Sequence, residues 1–548
     1  MSSATTDDPT MAPAETPTGP HQAAPPLLER APRASLATFA VFVGTAGALF
    51  AYRGRAPWFF QDDYAYIVQR DGGSLDGLLL PHQQHWVTVP VAIYRVLWNI
   101  FGLHSYVPYL AVSIAFHLAV VVLLRAVLRR SGVSPWMATI TASILLFFGS
   151  GSENVVWAFM IAFTGSLAFG LAHLLVVDRP IRSPLLYAAG TAFGVLSLMC
   201  SNVGLVMLGT VGLTIWLRRG WRAAAAATLP SAVVYGLWLM TYGGEDGGAQ
   251  TTNDVGLILR FALRGLETLV SATTQTPVVA AGLVVVTALG LGLTVWPDRR
   301  SWPALRMSMG IPLGLAAGAT GFYLVVARSR VERFDIDYAT RGRFLYVALA
   351  LLLPLIAVTA DAVARRWKLA ALPVVVLLVA GIPGNVSDIS IRSNKEAKPE
   401  LVLAVASSPA LSSASRSLRP FARVQGFAIV TAGWLADGVR DGRIPGDFDA
   451  APDTEAEALS RLALSVVPAR PSLDRCTLLE GTEDVEISSS NPIGFSGSLL
   501  VTVVTPEGGL SAPHNIGSFD PKALISTAGP LTVRIKAAEP LYPVELCR

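Results

Sequence analysis

The chain has 548 residues, 52% of them hydrophobic and only 15% charged, with a mean hydropathy of +0.51. Soluble domains carry about 25% charged residues, so the composition excludes a purely soluble protein and points to a membrane protein with a soluble part attached. The formal charge of +4 and the pI of about 9.0 fit loop arginines better than a nucleic-acid surface, because no Lys/Arg-rich stripe with interleaved aromatics occurs.

Residues 1–33 are rich in Pro, Ala, Ser and Thr, lack apolar periodicity and read as a disordered cytoplasmic tail. The first apolar run begins near Leu36, far from the start and without a small-residue cleavage site. It therefore reads as a membrane anchor over 34–53 rather than a signal peptide. Just beyond stands Phe59-Phe60-Gln61-Asp62-Asp63-Tyr64, then a polar loop containing His82, His85 and Trp86 that reaches Pro90. Two carboxylates at a bilayer exit are costly beside lipid and belong against a polar cavity. On an extended or kinked segment adjacent side chains diverge, so Asp62 and Asp63 are expected to play unequal parts. One would take a proton from a hydroxyl as general base; the other would hold a cation, a positive side chain or a substrate hydroxyl. His82 and His85, at i and i+3, fit one face of a helix, which alone is a weak zinc signal. Residues 87–101 set Pro90, Arg95, Trp98 and Asn99 among Val, Ile and Leu and read as an interfacial or shallowly inserted helix.

Further apolar runs at 106–126, 134–150, 155–177, 184–200, 202–217, 223–242, 276–296, 304–327, 343–361 and 368–384 complete an expected set of eleven spans. Every even-numbered run is followed by basic residues: Arg125, Arg129 and Arg130; Arg179 and Arg182; Arg218, Arg219 and Arg222; Arg299 and Arg300; Arg365, Arg366 and Lys368. The positive-inside rule places these exits and the N-terminus in the cytoplasm. The odd-numbered exits then put Asp62 and Asp63, Glu153 and Asn154, Ser201 and Asn202, Glu245 and Asp246, and the C-terminal region on the other side. Residues 253–271 alternate Leu257, Ile258, Phe261, Leu266 and Leu269 with Asp254, Arg260, Arg264 and Glu267 in a helical period, an amphipathic helix along that outer surface. The ninth exit breaks the charge pattern, with Arg328, Arg330, Arg333, Arg341 and Arg343 gathered outside beside Glu332, Asp335 and Asp337. One reading is a loop of mutually paired charges. The other is an anion site, since each guanidinium offers a fixed fork of donors to phosphate oxygens.

Near Asn385 the apolar density collapses, and 385–548 is long enough for one domain. A helical patch at 452–466 precedes short runs at 485–487, 498–505, 524–525 and 531–535, punctuated by Gly and Pro, which point to a small antiparallel sheet or sandwich. The expected organisation is thus a tail (1–33), a polytopic α-helical membrane domain (34–384) and an extracytoplasmic α/β or β-rich domain (385–548). Cys200 falls in an apolar run and reads as an inert packed thiol; Cys476 and Cys547 form one disulfide if their region lies outside the cytoplasm.

The membrane part, about 34–384, resembles the GT-C superfamily of membrane glycosyltransferases that use polyprenyl-phosphate sugars. The resemblance rests on Phe60-Gln61-Asp62-Asp63-Tyr64, on His85-Trp86 with Pro90, and on Arg341-Gly342-Arg343-Phe344-Leu345-Tyr346, similar to an Arg-Tyr-Leu-Tyr run at the start of a late span in several such families. It implies that Asp62 or Asp63 is the catalytic base or its partner, and that Glu153 holds the second-loop acidic position. Arg341 or Arg343, with Arg333 nearby, would bind the donor phosphate. Tyr64, His82, His85, Trp86, Glu153 and Asn154 would line the acceptor or support the pair. A divalent cation (Mg, Mn or Ca) on Asp62, Asp63 and Glu153 stays an open alternative, because Asn154 rather than a second acid follows Glu153. Similar actinobacterial plasma-membrane proteins with an outer carbohydrate-binding-like domain transfer arabinofuranose or mannose to cell-envelope glycans or glycolipids. The expected reaction is such a transfer on the outer face of the bilayer, with inversion at the sugar; no nucleic-acid partner is expected.

Two other readings compete. A transporter or flippase of lipid-linked envelope precursors would carry ionisable residues near the bilayer midplane and a repeated fold, but no internal repeat is evident. A non-enzymatic envelope scaffold would use the C-terminal domain to hold a partner.

Overall fold

The computed structural model describes residues 27–54, 58–70, 74–179, 183–243, 251–298, 301–389, 398–422, 428–468, 476–538 and 544–547. Most of the expected tail, together with Arg182, Glu245, Asp246, Arg299 and Arg300, lies outside the described residues.

The chain forms α1 (Pro32–Arg53), α2 (Asp62–Val68), α3 (Leu75–Leu79), α4 (Thr88–Phe101), α5 (Val107–Arg130), α6 (Pro135–Leu146), α7 (Glu153–Val156) and α8 (Ile161–Val177). Then follow α9 (Pro184–Leu198), α10 (Val203–Arg219), α11 (Trp221–Tyr242), α12 (Val255–Thr274), α13 (Pro277–Asp298), α14 (Trp302–Phe334), α15 (Gly342–Arg366), α16 (Ala371–Val379) and α17 (Ile382–Ser387). Helix occupies all eleven expected runs, but only eight described helices are long and apolar enough to cross a membrane. The expectation of eleven spans is corrected at α6, α9 and α10, which have 12, 15 and 17 residues. At 1.5 Å per residue these reach roughly 18, 22 and 26 Å, less than a full span of about 30 Å, although α10 still runs from Asn202 against His85 at one end of the bundle to Arg218 against Asp178 at the other.

The short helices have local causes. α6 stops where Phe147 and Phe148 lead into the 3-10 turn Gly149–Gly151. A Cβ on Gly149 would stand 1.8 Å from the Asn385 carbonyl oxygen, so the loop passes this point only as glycine. α9 starts on Ser183, whose Oγ accepts from the Leu185 N–H at 3.3 Å, with Pro184 in the first turn.

Small residues set the closest helix contact. Gly310, Gly314 and Gly318 form one stripe of α14, and a Cβ at the last two would lie 2.1 Å from Thr214 Oγ1 and Thr210 Oγ1 of α10. At one end of the bundle the basic residues are neutralised by buried acids. Asp178, at the end of α8, binds Arg130 and Arg218, each at 2.7 Å. Asp361 of α15 accepts from Ser134 Oγ at 2.6 Å and the Ser134 N–H at 3.0 Å and pairs with Arg365 at 2.8 Å. α14 starts at this end, where Arg218 reaches the Met307 carbonyl at 2.7 Å. Its 33 residues extend about 50 Å, longer than a hydrocarbon core of about 30 Å. Helix α12 leans on it, with Gly265 against the Tyr323 ring.

The C-terminal region adds α18 (Pro399–Ser407), α19 (Ala432–Arg440) and α20 (Pro452–Ala463), then strands β1 (Leu464–Pro468), β2 (Cys476–Leu478), β3 (Thr482–Ile487), β4 (Ile493–Val504), β5 (His514–Ser526), β6 (Leu531–Ala537) and β7 (Glu545–Cys547). Val402, Phe421, Leu435 and Ile444 join the apolar core of the spans, while the strands bury a separate core around Phe495, Val501, Val533 and Ile535. The strands form one antiparallel sheet in the order β1-β5-β4-β6-β3, with β1 and β3 at opposite ends and β7 paired to β4 and β2. Cys476 and Cys547 face each other across β2 and β7 and are joined as a disulfide, while Cys200 is buried and free.

The helical part of this region docks on α4 and the turn after it. Trp98 stacks on Trp434 with ring centroids 5.2 Å apart, and the Arg443 guanidinium lies 5.6 Å from the Trp98 ring. The Leu103 N–H donates to the Arg443 carbonyl at 2.8 Å. Gly102, at φ +52°, allows this approach, since a Cβ there would sit 1.9 Å from that carbonyl oxygen.

Overpacking the α10–α14 contact tests this account. Gly314→Ala should cost about 1–3 kcal/mol and lower the melting temperature in detergent. Gly321→Ala, with nothing within 4 Å of its Cβ, should leave it unchanged or raise it slightly.

Candidate functional site

The first-loop carboxylates begin a helix. Gln61, a non-glycine residue at φ +45°, turns the chain sharply, and α2 starts at Asp62. Of the extended or kinked segment expected, the chain shows the kink: reciprocal bonds between Phe60 and Asp63, from the Asp63 N–H to the Phe60 carbonyl at 3.0 Å and from the Phe60 N–H to Asp63 Oδ2 at 2.9 Å, close a helical turn. The two side chains still diverge, because successive helical residues project about 100° apart.

Asp63 points inward and has no exposure. Its Oδ2 accepts from the Phe60 N–H, from Trp157 Nε1 at 3.1 Å and from Tyr106 Oη at 3.4 Å, and its Oδ1 accepts from Tyr94 Oη. Burial raises its carboxyl to about 7, against the pull of the Tyr94, Phe60 and Trp157 donors. The Asp62 side chain remains 30% exposed, with Oδ1 3.9 Å from His82 Nε2. Its carboxyl is also raised by burial, opposed by attraction to the Arg343 guanidinium.

His82 and His85 do not share a helical face. They pair backbone to backbone, His82 N–H to His85 O at 3.0 Å and His85 N–H to His82 O at 2.9 Å. Gln83 and Gln84 form the tip at φ +46° and +68°, the geometry of a tight two-residue turn. His82 alone turns toward Asp62. His85 Nδ1 meets the Asn202 N–H at 3.4 Å. Trp86 is buried, donates to Thr88 Oγ1 at 2.7 Å and stacks on Trp238 at 5.0 Å. Tyr64 is likewise buried, beside Phe59.

Across from Asp62 stand the second loop and the turn between α14 and α15. Arg343 Nη1 lies 3.3 Å from Glu153 Oε1, and Nη2 donates to Tyr338 Oη at 2.5 Å. The guanidinium is 5.4 Å from the Phe344 ring. Gly342 makes room for this turn, because a Cβ there would lie 2.3 Å from the Ser150 carbonyl oxygen. Arg341 is exposed and 5.5 Å from the Tyr338 ring; Arg333 is exposed and 5.0 Å from the Phe334 ring. Arg330, half-buried, feels the charge of both Arg333 and Arg343. Its place in the cluster comes from the overlong α14, which sequence spacing leaves unspecified. Asn154 turns away into the protein, where its Nδ2 reaches the Gly151 carbonyl at 3.5 Å.

A further support carries no signal in the sequence. Tyr346 Oη meets His117 Nδ1 at 2.8 Å, and the other ring nitrogen meets the Leu146 carbonyl at 3.2 Å, fixing the start of α15 against α5 and α6. The residues do not fit the cation site left open as an alternative: donors occupy Asp63, and Glu153 is held by Arg343. No group of three His, Cys, Asp or Glu suited to a metal occurs among the described residues. No family model matches the chain, and no curated protein matches it.

Asp63→Ala should cost at least about 3 kcal/mol by stranding buried donors, read as a large drop in melting temperature, whereas Asp62→Asn should change it little. A carboxyl raised in the folded state binds a proton more readily there than in the unfolded chain. Stability should therefore fall as pH rises from about 4 to about 7, and Asp63→Asn should flatten that slope.

Proposed function

We propose that the protein transfers a sugar from a polyprenyl-phosphate donor to a glycan or glycolipid acceptor, as the resemblance to GT-C glycosyltransferases implies, with arabinofuranose or mannose as the sugar. The observation that carries this reading is an accessible carboxylate, Asp62, at the same end of the bundle as Arg343, whose charge it feels, and the arginines near it. Sugar nucleotides are cytoplasmic, so an outward-facing transferase needs a donor held in the bilayer. The positive-inside rule assigns the Arg130–Asp178–Arg218 end to the cytoplasm; the acidic pair and the docked C-terminal helices gather at the other end of α5, around Tyr106 and Leu103, which this reading takes as the outer face.

Asp62 takes the proton of the acceptor hydroxyl as its oxygen attacks the anomeric carbon. The bond from that carbon to the phosphate oxygen breaks, and polyprenyl phosphate leaves from the opposite face, inverting the centre. Arg330, Arg333 and Arg341, with Arg343, stabilise the charge on the departing phosphate. A carboxyl raised by burial is a stronger base than a free one once ionised. Asp63 holds the base in place and does not touch the sugar.

The test is transfer by purified protein from a panel of polyprenyl-phosphate pentoses and hexoses. Asp62→Asn should lower turnover by about 10²–10⁴ with donor binding retained, and Arg330→Gln should weaken donor binding by about tenfold. Unchanged glycan formation in Asp62→Asn would reject the transferase reading.

A further inference from the structure

We propose that the Arg343 guanidinium, paired with Glu153, supplies the positive charge that a divalent cation would otherwise bring to this site, so that the site works without one. Arg343 is 3.3 Å from Glu153, attracts Asp62 and is steadied by Tyr338 Oη. A cation site would need several oxygens at about 2.0–2.6 Å from one ion. Here Asp63 is enclosed by N–H and O–H donors, and Glu153 already has its counter-charge. Arg330 lies close enough to Arg343 to feel its charge. A guanidinium already paired with Glu153 repels a divalent cation and favours an anion such as the donor phosphate.

Arg343's role deepens the transferase reading and rests on it only for the identity of the anion; cation binding is measured without any transfer. The experiment is calorimetric titration of the full-length protein in detergent with Mn²⁺ and with Ca²⁺. Wild type should show no saturable uptake below about 1 mM. Arg343→Gln, which leaves Glu153 without its counter-charge, should gain Mn²⁺ binding that Glu153→Gln in the same background removes. Saturable binding by wild type that is lost in Asp62→Asn or Glu153→Gln would overturn the proposal, and this wild-type comparison holds even if Arg343→Gln folds poorly. Where transfer is detected, EDTA should leave its rate unchanged; abolition by EDTA with recovery on added Mn²⁺ would also overturn it.

Discussion

The carboxylate of Asp63 accepts from Phe60, Tyr94, Tyr106 and Trp157, so one buried group joins the first loop, α4, the turn before α5 and the loop after α7. Each donor would be costly if left without an acceptor in this apolar setting, which fixes the mutual positions of those segments. Asp62, the preceding residue, is thereby delivered to a different side of α2, where it meets His82 and the field of Arg343. The joint extends to the C-terminal region, because Trp98 lies one helical turn beyond Tyr94 on α4 and stacks on Trp434.

The two ends of the bundle handle charge differently. At the Asp178 and Asp361 end, arginines meet buried acids and backbone carbonyls, a structural use of charge. At the other end Arg330, Arg333, Arg341 and Arg343 cluster, and aromatic rings cushion the planes of three of them. The last turns of α14 and the turn into α15 carry these arginines.

Much of the fold was legible in the sequence because apolar runs and basic exits are local signals. All eleven runs are helical, and the strand-rich end follows Val, Ile and Thr punctuated by Gly. Span count was less legible: whether α6, α9 and α10 cross depends on where their ends are cut, as at Gly149, and that depends on contact with Asn385. The acidic pair could be found by eye, but its division of labour could not. Donors to Asp63 come from residues 31, 43 and 94 positions away as well as from Phe60. Likewise His82 and His85 share a spacing that suits a helix, and only the paired backbone of the turn separates their directions.

The most direct measurement is a cryo-EM map of the protein in a nanodisc with a polyprenyl phosphate. The account predicts phosphate density against Arg330 and Arg343, within one sugar's length of Asp62, and the isoprenoid tail between spans. Phosphate seated instead at the Arg218 end, or Asp62 and Arg343 held too far apart to meet one sugar, would contradict it.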